Sequence, residues 1–186
     1  MLVGKNIALR PTTAADLPLL VEWYNDPDYY GSYMNLWPTT LEREEKSFAE
    51  RVHTHEPDTY LITSRDQGEP MGLIGYLNTF SFRLYEAQEI WYHLHPRFRR
   101  QGITTQAACL LVNHLFNATP LNRIQGRVVV GNVGSCRVLE NAGLQHEGIC
   151  RGLFYLHGRY ADLHLYSIVR DDWRDETTYR NGRKEF

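Results

Sequence analysis

The chain has 186 residues, with 20 Lys plus Arg against 22 Asp plus Glu and a formal net charge of −2 at pH 7. That length suits one domain with a continuous apolar core, and the near-balanced charge excludes a general nucleic-acid binder, whose basic residues would form a stripe. The three cysteines, Cys109, Cys136 and Cys150, are odd in number and lack C-x-x-C spacing, which predicts free thiols in a reducing compartment rather than a disulfide framework.

Asn6 to Arg10 alternates like a first strand that Pro11 stops. Thr13 with Asp16 forms a capping box ahead of Leu17, Leu20, Val21 and Tyr24, a short helix ended by Asn25, Asp26 and Pro27. The stretch from Tyr29 to Thr40 collects Tyr29, Tyr30, Tyr33 and Trp37 without clear periodicity. A second helix is expected from Thr39 or Thr40 to about His53. Residues 60–64, a turn at 66–68 and residues 71–77 predict a hairpin. Residues 86–94 form a third long strand, 104–117 a helix with Cys109, Leu110, Val112, Leu115 and Phe116 on its apolar face, and 124–130 a strand. A helix over 134–141 ends at Gly143, and two last strands lie near 144–153 and 160–169. Strands first, then helices interleaved with strands, predict an α/β (α+β) domain over 1–170, a mixed sheet layered by helices. The charged tail, 171–186, is expected at the surface. The first twenty residues have no apolar signal region, and no stretch has the roughly 18–20 apolar residues that cross a bilayer. A soluble, cytoplasmic protein that engages neither membrane nor nucleic acid is expected.

The most informative segment runs from Arg99 to Thr105. A glycine between a strand and a helix lets the chain turn so that several N–H groups converge, and the helix N-terminus with Arg97, Arg99 and Arg100 makes that spot attractive to phosphate. Neither a G-x-x-x-x-G-K-S/T loop nor a G-x-G-x-x-G turn with a following ribose-binding acid is present. In these residues the chain resembles the GCN5-related N-acetyltransferases (GNAT), whose coenzyme loop reads Gln/Arg-x-x-Gly-x-Gly/Ala. Here the loop is Arg99-x-x-Gly102-x-Thr104, with threonine in the last place. Asn132, Ser135, Glu140, Gly143 and Leu144 match a second block, N-x-x-S-x-x-x-x-E-x-x-G-F/L. Glu147, Gly148, Arg151, Gly158, Arg159, Tyr160, Asp162 and Tyr166 follow in the order typical of the RimJ/RimL-like branch.

The resemblance implies a mostly antiparallel sheet of about seven strands and acetyl-CoA as co-substrate, with no metal. It places the pyrophosphate on the main chain of Arg99, Arg100, Gln101, Gly102, Ile103, Thr104 and Thr105. Leu94 and His95 are expected along the pantetheine, with the oxyanion stabilised by main-chain N–H of a splayed strand near 93–95. Asn132 is either a pantetheine contact or a turn residue. Ser135 either donates to the departing thiolate or is an N-cap or first-turn serine that satisfies a backbone amide. The family's frequent tyrosine acid would fall at Leu139, so the weight moves to Ser135. Glu89, mid-strand, is either the base that frees the amine or a partly buried acid paired with an arginine. A base matters for a lysine-like amine, which costs about 4–5 kcal/mol to deprotonate at pH 7, and little for an α-amine, which costs about 1 kcal/mol. His93 and His95 share a strand face, yet no third ligand follows at zinc-like spacing. Tyr30, Tyr33, Trp37 and Tyr155, with Tyr29, Phe154 and His157, either line an acceptor pocket or pack the first helices on the sheet.

The expected activity is acetyl transfer to a small-molecule amine or a protein N-terminal α-amine, with a homodimer left open. A non-catalytic acyl-CoA sensor is the alternative, and a nucleotide hydrolase is disfavoured for want of a Walker lysine and an acidic metal pair.

Overall fold

The computed structural model describes residues 1–51, 58–78 and 87–173. The predicted helix end at 52–53, the start of the third long strand at Glu86 and most of the tail (174–186) lie outside them. Among the described residues an eight-stranded sheet, in the order β1-β2-β3-β4-β5-β6-β8-β7, carries five α-helices. The strands are β1 (Leu2–Val3), β2 (Ile7–Pro11), β3 (Thr59–Ser64), β4 (Pro70–Asn78), β5 (Ala87–Leu94), β6 (Arg123–Val129), β7 (Gln145–Leu156) and β8 (Arg159–Val169). The helices are α1 (Leu17–Tyr24), α2 (Pro27–Tyr30), α3 (Leu41–Arg51), α4 (Ile103–Ala118) and α5 (Val133–Asn141). The expected count of about seven strands rises to eight because β1, two residues long, is too short to show alternation; Leu2 and Val3 pair with Leu9 and Ala8.

Each face of the sheet carries its own core. On one side α4 and α5 cover Ile7, Leu9, Ile62, Ile74, Ile90, Leu94, Ile124 and Ile168. Ala107 and Ala108, both 0% exposed, let α4 lie close to the strands, with Leu111, Val112, Leu115 and Phe116 completing the buried stripe. Cys109 and Leu110, predicted on that stripe, stand at its flank. On the other side Leu17, Leu20, Trp23 and Tyr29 pack on Leu61 and Leu73. Trp23 stacks on Tyr29 at 5.1 Å between centroids. At the foot of α1, Asp16 accepts from the Thr13 N–H at 2.8 Å and pairs with Arg10 at 2.6 Å, which holds its carboxyl down at about 2.

The packed unit runs past residue 170. Trp173 lies 5.4 Å from the Phe116 ring and donates its indole N–H to Asn113 at 2.8 Å, so the first three residues of the predicted tail belong to the domain.

What positions the site is a fault in the sheet. β5 pairs with β6 in parallel at only three positions, Ala87↔Arg123, Gln88↔Ile124 and Glu89↔Gln125, while its antiparallel pairing with β4 continues to Leu94. Beyond Glu89 the two strands diverge. Strand residues direct their N–H and C=O alternately to opposite neighbours. The His95 N–H donates to Met71 O at 2.9 Å, so by alternation the odd residues of β5 serve β4. Ile90, Tyr92 and Leu94 therefore turn their main-chain groups into the opening.

Candidate active site

The turn entering α4 is built for an anion. Arg100 has φ 63° and Gly102, the helix N-cap, φ 74°; both are left-handed, which glycine adopts freely. The first main-chain bond of the helix is Gln106 N–H to Gly102 O, and no side chain caps the N-terminus. The N–H groups of Ile103, Thr104 and Thr105 thus have no helical acceptor, and the partial positive charge of a 16-residue helix stands behind them. Gln101 and Gly102 are exposed beside them, and a Cβ built on Gly102 would meet nothing within 4 Å.

Arg99 differs from expectation. Its N–H donates to Pro96 O at 3.3 Å, and its guanidinium donates to Leu94 O at 3.0 Å, Asp28 O at 2.7 Å and Tyr29 O at 2.8 Å. It braces the turn against β5 and against the last carbonyls of α2 instead of offering these donors to phosphate. Gln101 likewise spends its amide on Arg97 O at 3.1 Å. The donors left at the turn are main-chain groups and the exposed Arg97 and Arg100 side chains.

Of the three residues expected to offer an oxyanion donor, alternation leaves one. The His93 N–H serves β4 and the His95 N–H is taken by Met71, whereas the Leu94 N–H points into the split. The His95 ring lies 6.0 Å from both Trp23 and Phe98, and its Nδ1 accepts from the Arg97 N–H at 3.4 Å. Its part is to anchor the strand end.

On the α4/α5 face, Tyr92 crosses beneath the split and donates its hydroxyl to Ser135 O at 3.1 Å. Burial holds that phenol protonated. Asn132 is the cap of α5: its Oδ1 accepts the Ser135 N–H at 3.2 Å. Ser135 is consequently the third residue of the helix, not its cap, and among the described residues no hydrogen bond engages its hydroxyl. Leu139, 1% exposed, fills the place where a tyrosine acid was weighed, packed so closely that a Cβ on Gly126 of β6 would stand 2.9 Å from it.

Glu89 sits at the vertex of the split, on the opposite face. Its two carboxylate oxygens each lie 2.9 Å from Arg127 Nε, and Oε2 also accepts from Gln125 Nε2 at 3.1 Å. Of its two readings, the arginine-paired acid is the geometry found. Neither Arg127 nor Gln125 carried a local signal, because the partners are 38 and 36 positions away.

Glu89, Trp91 and His93 share this second face with α1 and α2. His93 stacks on Tyr29 at 5.8 Å and meets Tyr30 edge-on at 5.4 Å. Burial, with Arg99 nearby, lowers its imidazole to about 4, so it is neutral at ordinary pH. The segment after α2 is tied across the open end of the split. Tyr33 donates to Gly131 O at 2.8 Å, Asn35 donates to Tyr155 O at 2.7 Å and accepts the His157 N–H at 3.1 Å, and Asn25 exchanges two 3.0 Å bonds with Thr39. Tyr30 and Trp37 line one cavity of about 270 Å³ with Tyr24, Pro38, Thr39, Arg43 and Glu44. Tyr33 and Tyr155 stand outside that cavity. Tyr24 and Glu44 were missed because each reads as an ordinary position of an amphipathic helix.

Among the described residues no group of three or more His, Cys, Asp or Glu could hold a metal, and no helix is long and apolar enough to cross a membrane. The Acetyltransferase (GNAT) domain family aligns with residues 6–145. The probable N-acetyltransferase YjcK of Bacillus subtilis is 29% identical over 180 residues, covering 92% of this chain and 98% of its own. The putative ribosomal N-acetyltransferase YdaF of the same organism is 35% identical over 88 residues, 47% of this chain and 48% of its own. Among solved structures, ribosomal-protein-S5-alanine acetyltransferase from Vibrio fischeri superposes with a TM-score of 0.81 at 20% identity, covering 92% of this chain and 97% of its own. Spermidine N-acetyltransferase from Vibrio cholerae, crystallised with CoA and spermine, superposes with a TM-score of 0.79 at 18% identity, covering 91% and 98%. With a split strand pair, a bare helix N-terminus at its foot and a family alignment over most of its length, the chain belongs to the GNAT family of acetyltransferases.

Proposed function

We propose that the protein transfers the acetyl group of acetyl-CoA to a primary amine, either a small molecule or a protein N-terminal α-amine, by direct attack on the thioester. The carrying observation is the divergence of β5 from β6 after Glu89, with the uncapped start of α4 beyond its open end. The pyrophosphate takes the N–H groups from Gln101 to Thr105, and the pantetheine arm lies along the free edge of β5 like an extra strand. The Leu94 N–H meets the thioester oxygen where negative charge develops. The amine approaches from the Trp91–His93 face, its nitrogen bonds to the carbonyl carbon, and the carbon–sulfur bond breaks. Ser135 gives its hydroxyl proton to the leaving thiolate and recovers one from solvent. The proton lost by the amine passes to solvent, since Glu89 is engaged by Arg127 and Gln125. Glu89 fixes the vertex from which the strands open. Most of the rate comes from holding the two reactants in line, which can be worth about 7–11 kcal/mol.

Calorimetry with acetyl-CoA, followed by thiol release across a panel of amines and N-terminal peptides, tests the reading. Heat with acetyl-CoA and release with at least one acceptor is the expected result. Heat without release on any acceptor would mark a coenzyme sensor, and no heat at all would remove the coenzyme site.

A further inference from the structure

We infer that Tyr24, Tyr30, Trp37 and Glu44 form a cation box that selects acceptors carrying an alkylammonium group in addition to the amine that is acetylated. The inference rests on the acetyl-transfer reading and names the acceptor class. Trp37 is 71% exposed, yet the chain on both sides of it is pinned, by Asn35 to the β7–β8 hairpin and by Thr39 to Asn25. An exposed indole carried on a pinned stretch of chain leaves a face available to a ligand. The Tyr24 and Tyr30 rings stand 6.5 Å apart and inclined by 38°, forming two further walls of the same cavity. Aromatic faces carry negative quadrupole potential and attract alkylammonium groups, tryptophan most of all. Glu44 supplies a full negative charge there. Its Oε1 is held by the Thr39 hydroxyl at 2.8 Å, and its field reaches the Tyr30 phenol, adding to the rise that burial causes. Arg43 also borders the cavity and opposes a cation, so selection falls to the ring faces and to the side on which Glu44 stands.

The box connects to the chemistry through one side chain. Tyr30 faces the cavity on one side and meets His93 at 5.4 Å on the other, and His93 precedes Leu94, whose N–H enters the split. A cation in the box and an amine at Leu94 are separated by the Tyr30 and His93 rings, 5.4 Å apart, so an acceptor that reaches both carries its second ammonium on an alkyl chain. The neutral imidazole of His93 puts no charge in the way of that second amine. A protein α-amine or a simple monoamine has nothing to place in the box.

The test compares 1,4-diaminobutane with butylamine as acceptors, acetyl-CoA saturating, and follows Trp37 fluorescence as diamine is added, with Trp37→Phe as the blank. The diamine is expected to show kcat/KM at least 10-fold above the monoamine. Trp37→Ala and Glu44→Gln should each raise its KM about 3- to 30-fold while leaving butylamine turnover and acetyl-CoA affinity unchanged. Tyr30→Phe, which keeps the ring, should leave diamine KM within about twofold, whereas Tyr30→Leu should not. Arg43→Gln should lower diamine KM. Equal kcat/KM for the two amines, no fluorescence response to diamine, or box variants that impair both amines alike would overturn the inference. Absence of acetyl-CoA binding would instead sink the reading beneath it.

Discussion

His93 ties stability to pH in a way that can be worked from its surroundings. The ring is packed against Tyr29 and Tyr30 from α2 and Trp91 from its own strand, with Arg99 as the nearby charge, so the folded protein resists protonating it and its value falls from 6.5 to about 4. A depressed histidine binds protons more readily in the unfolded chain, so stability declines as pH drops below 6.5 and the loss is complete once pH passes the folded value. Between pH 7.5 and 5.5 the loss is about 1.3 kcal/mol, and below pH 4 it reaches about 3 kcal/mol. A folded value one unit higher changes the first figure little, because pH 5.5 would still lie above it. Asp16 and Glu147, both held at about 2 by their arginines, lose their contributions as pH falls from the ordinary carboxylate range to about 2, outside this window. Thermal unfolding followed by circular dichroism should show the wild type falling by about 3–5 °C between the two pH values on account of this group. The His93→Gln variant should lack that increment, whatever its absolute stability. Parallel pH dependences in the two proteins would refute the argument, and an imidazole that titrates near 6.5 by NMR would show that burial is not felt.

Ser135→Ala is expected to lower kcat by about 10- to 100-fold with the KM for acetyl-CoA within about twofold, because the proposed role of the hydroxyl is at thiolate departure; steady-state kinetics with an unchanged kcat would remove it from the mechanism. Glu89→Gln should leave the low-pH limb of kcat in place, since solvent takes the amine's proton, while unfolding free energy drops by about 1–2 kcal/mol as Arg127 loses its partner. A lost low-pH limb would return Glu89 to the role of base. Gly102→Val should weaken acetyl-CoA at least 10-fold by calorimetry and cost about 1 kcal/mol of stability, because a branched side chain at φ 74° is strained and stands where phosphate approaches. Undiminished affinity would place the phosphates elsewhere.

Local features were legible and relations between distant strands were not. The Thr13–Asp16 box, the Gly102 turn and the start of α5 depend on neighbours in sequence, and the residue types announce them. The four-residue α2 was hidden, because a helix that short has no period and stands only on tertiary contacts, here Trp23 against Tyr29 and Arg99 on its carbonyls. Ser135 stands in the first turn of α5, one of the two places expected for it, and Asn132, expected in the turn or on the pantetheine, is the residue that caps. The resemblance implies a splayed strand near 93–95, but no residue type marks where it opens: residues 86–94 read as continuous strand, and only the register with β6 shows pairing ending at Glu89. Arg99 was expected at the phosphate because charge is visible in a sequence and direction is not.

Arg99 also ties the two halves of the proposed site together. A helix of four residues cannot satisfy its own ends, and α2 has its last turn closed by a guanidinium that belongs to the coenzyme turn. The same guanidinium holds Leu94 O, so the strand edge proposed to meet the thioester, the turn proposed to take the phosphates and the helix that carries Tyr30 share one brace. If phosphate binding shifts the turn by a few tenths of an ångström, the wall between box and thioester shifts with it. Coupling of this kind is reciprocal in free energy: whatever acetyl-CoA does to acceptor affinity, the acceptor does to acetyl-CoA. The proposed acceptor side is therefore not an independent graft on the coenzyme cradle, because one of its aromatic walls, Tyr30, stands on a helix braced by a residue of the coenzyme turn.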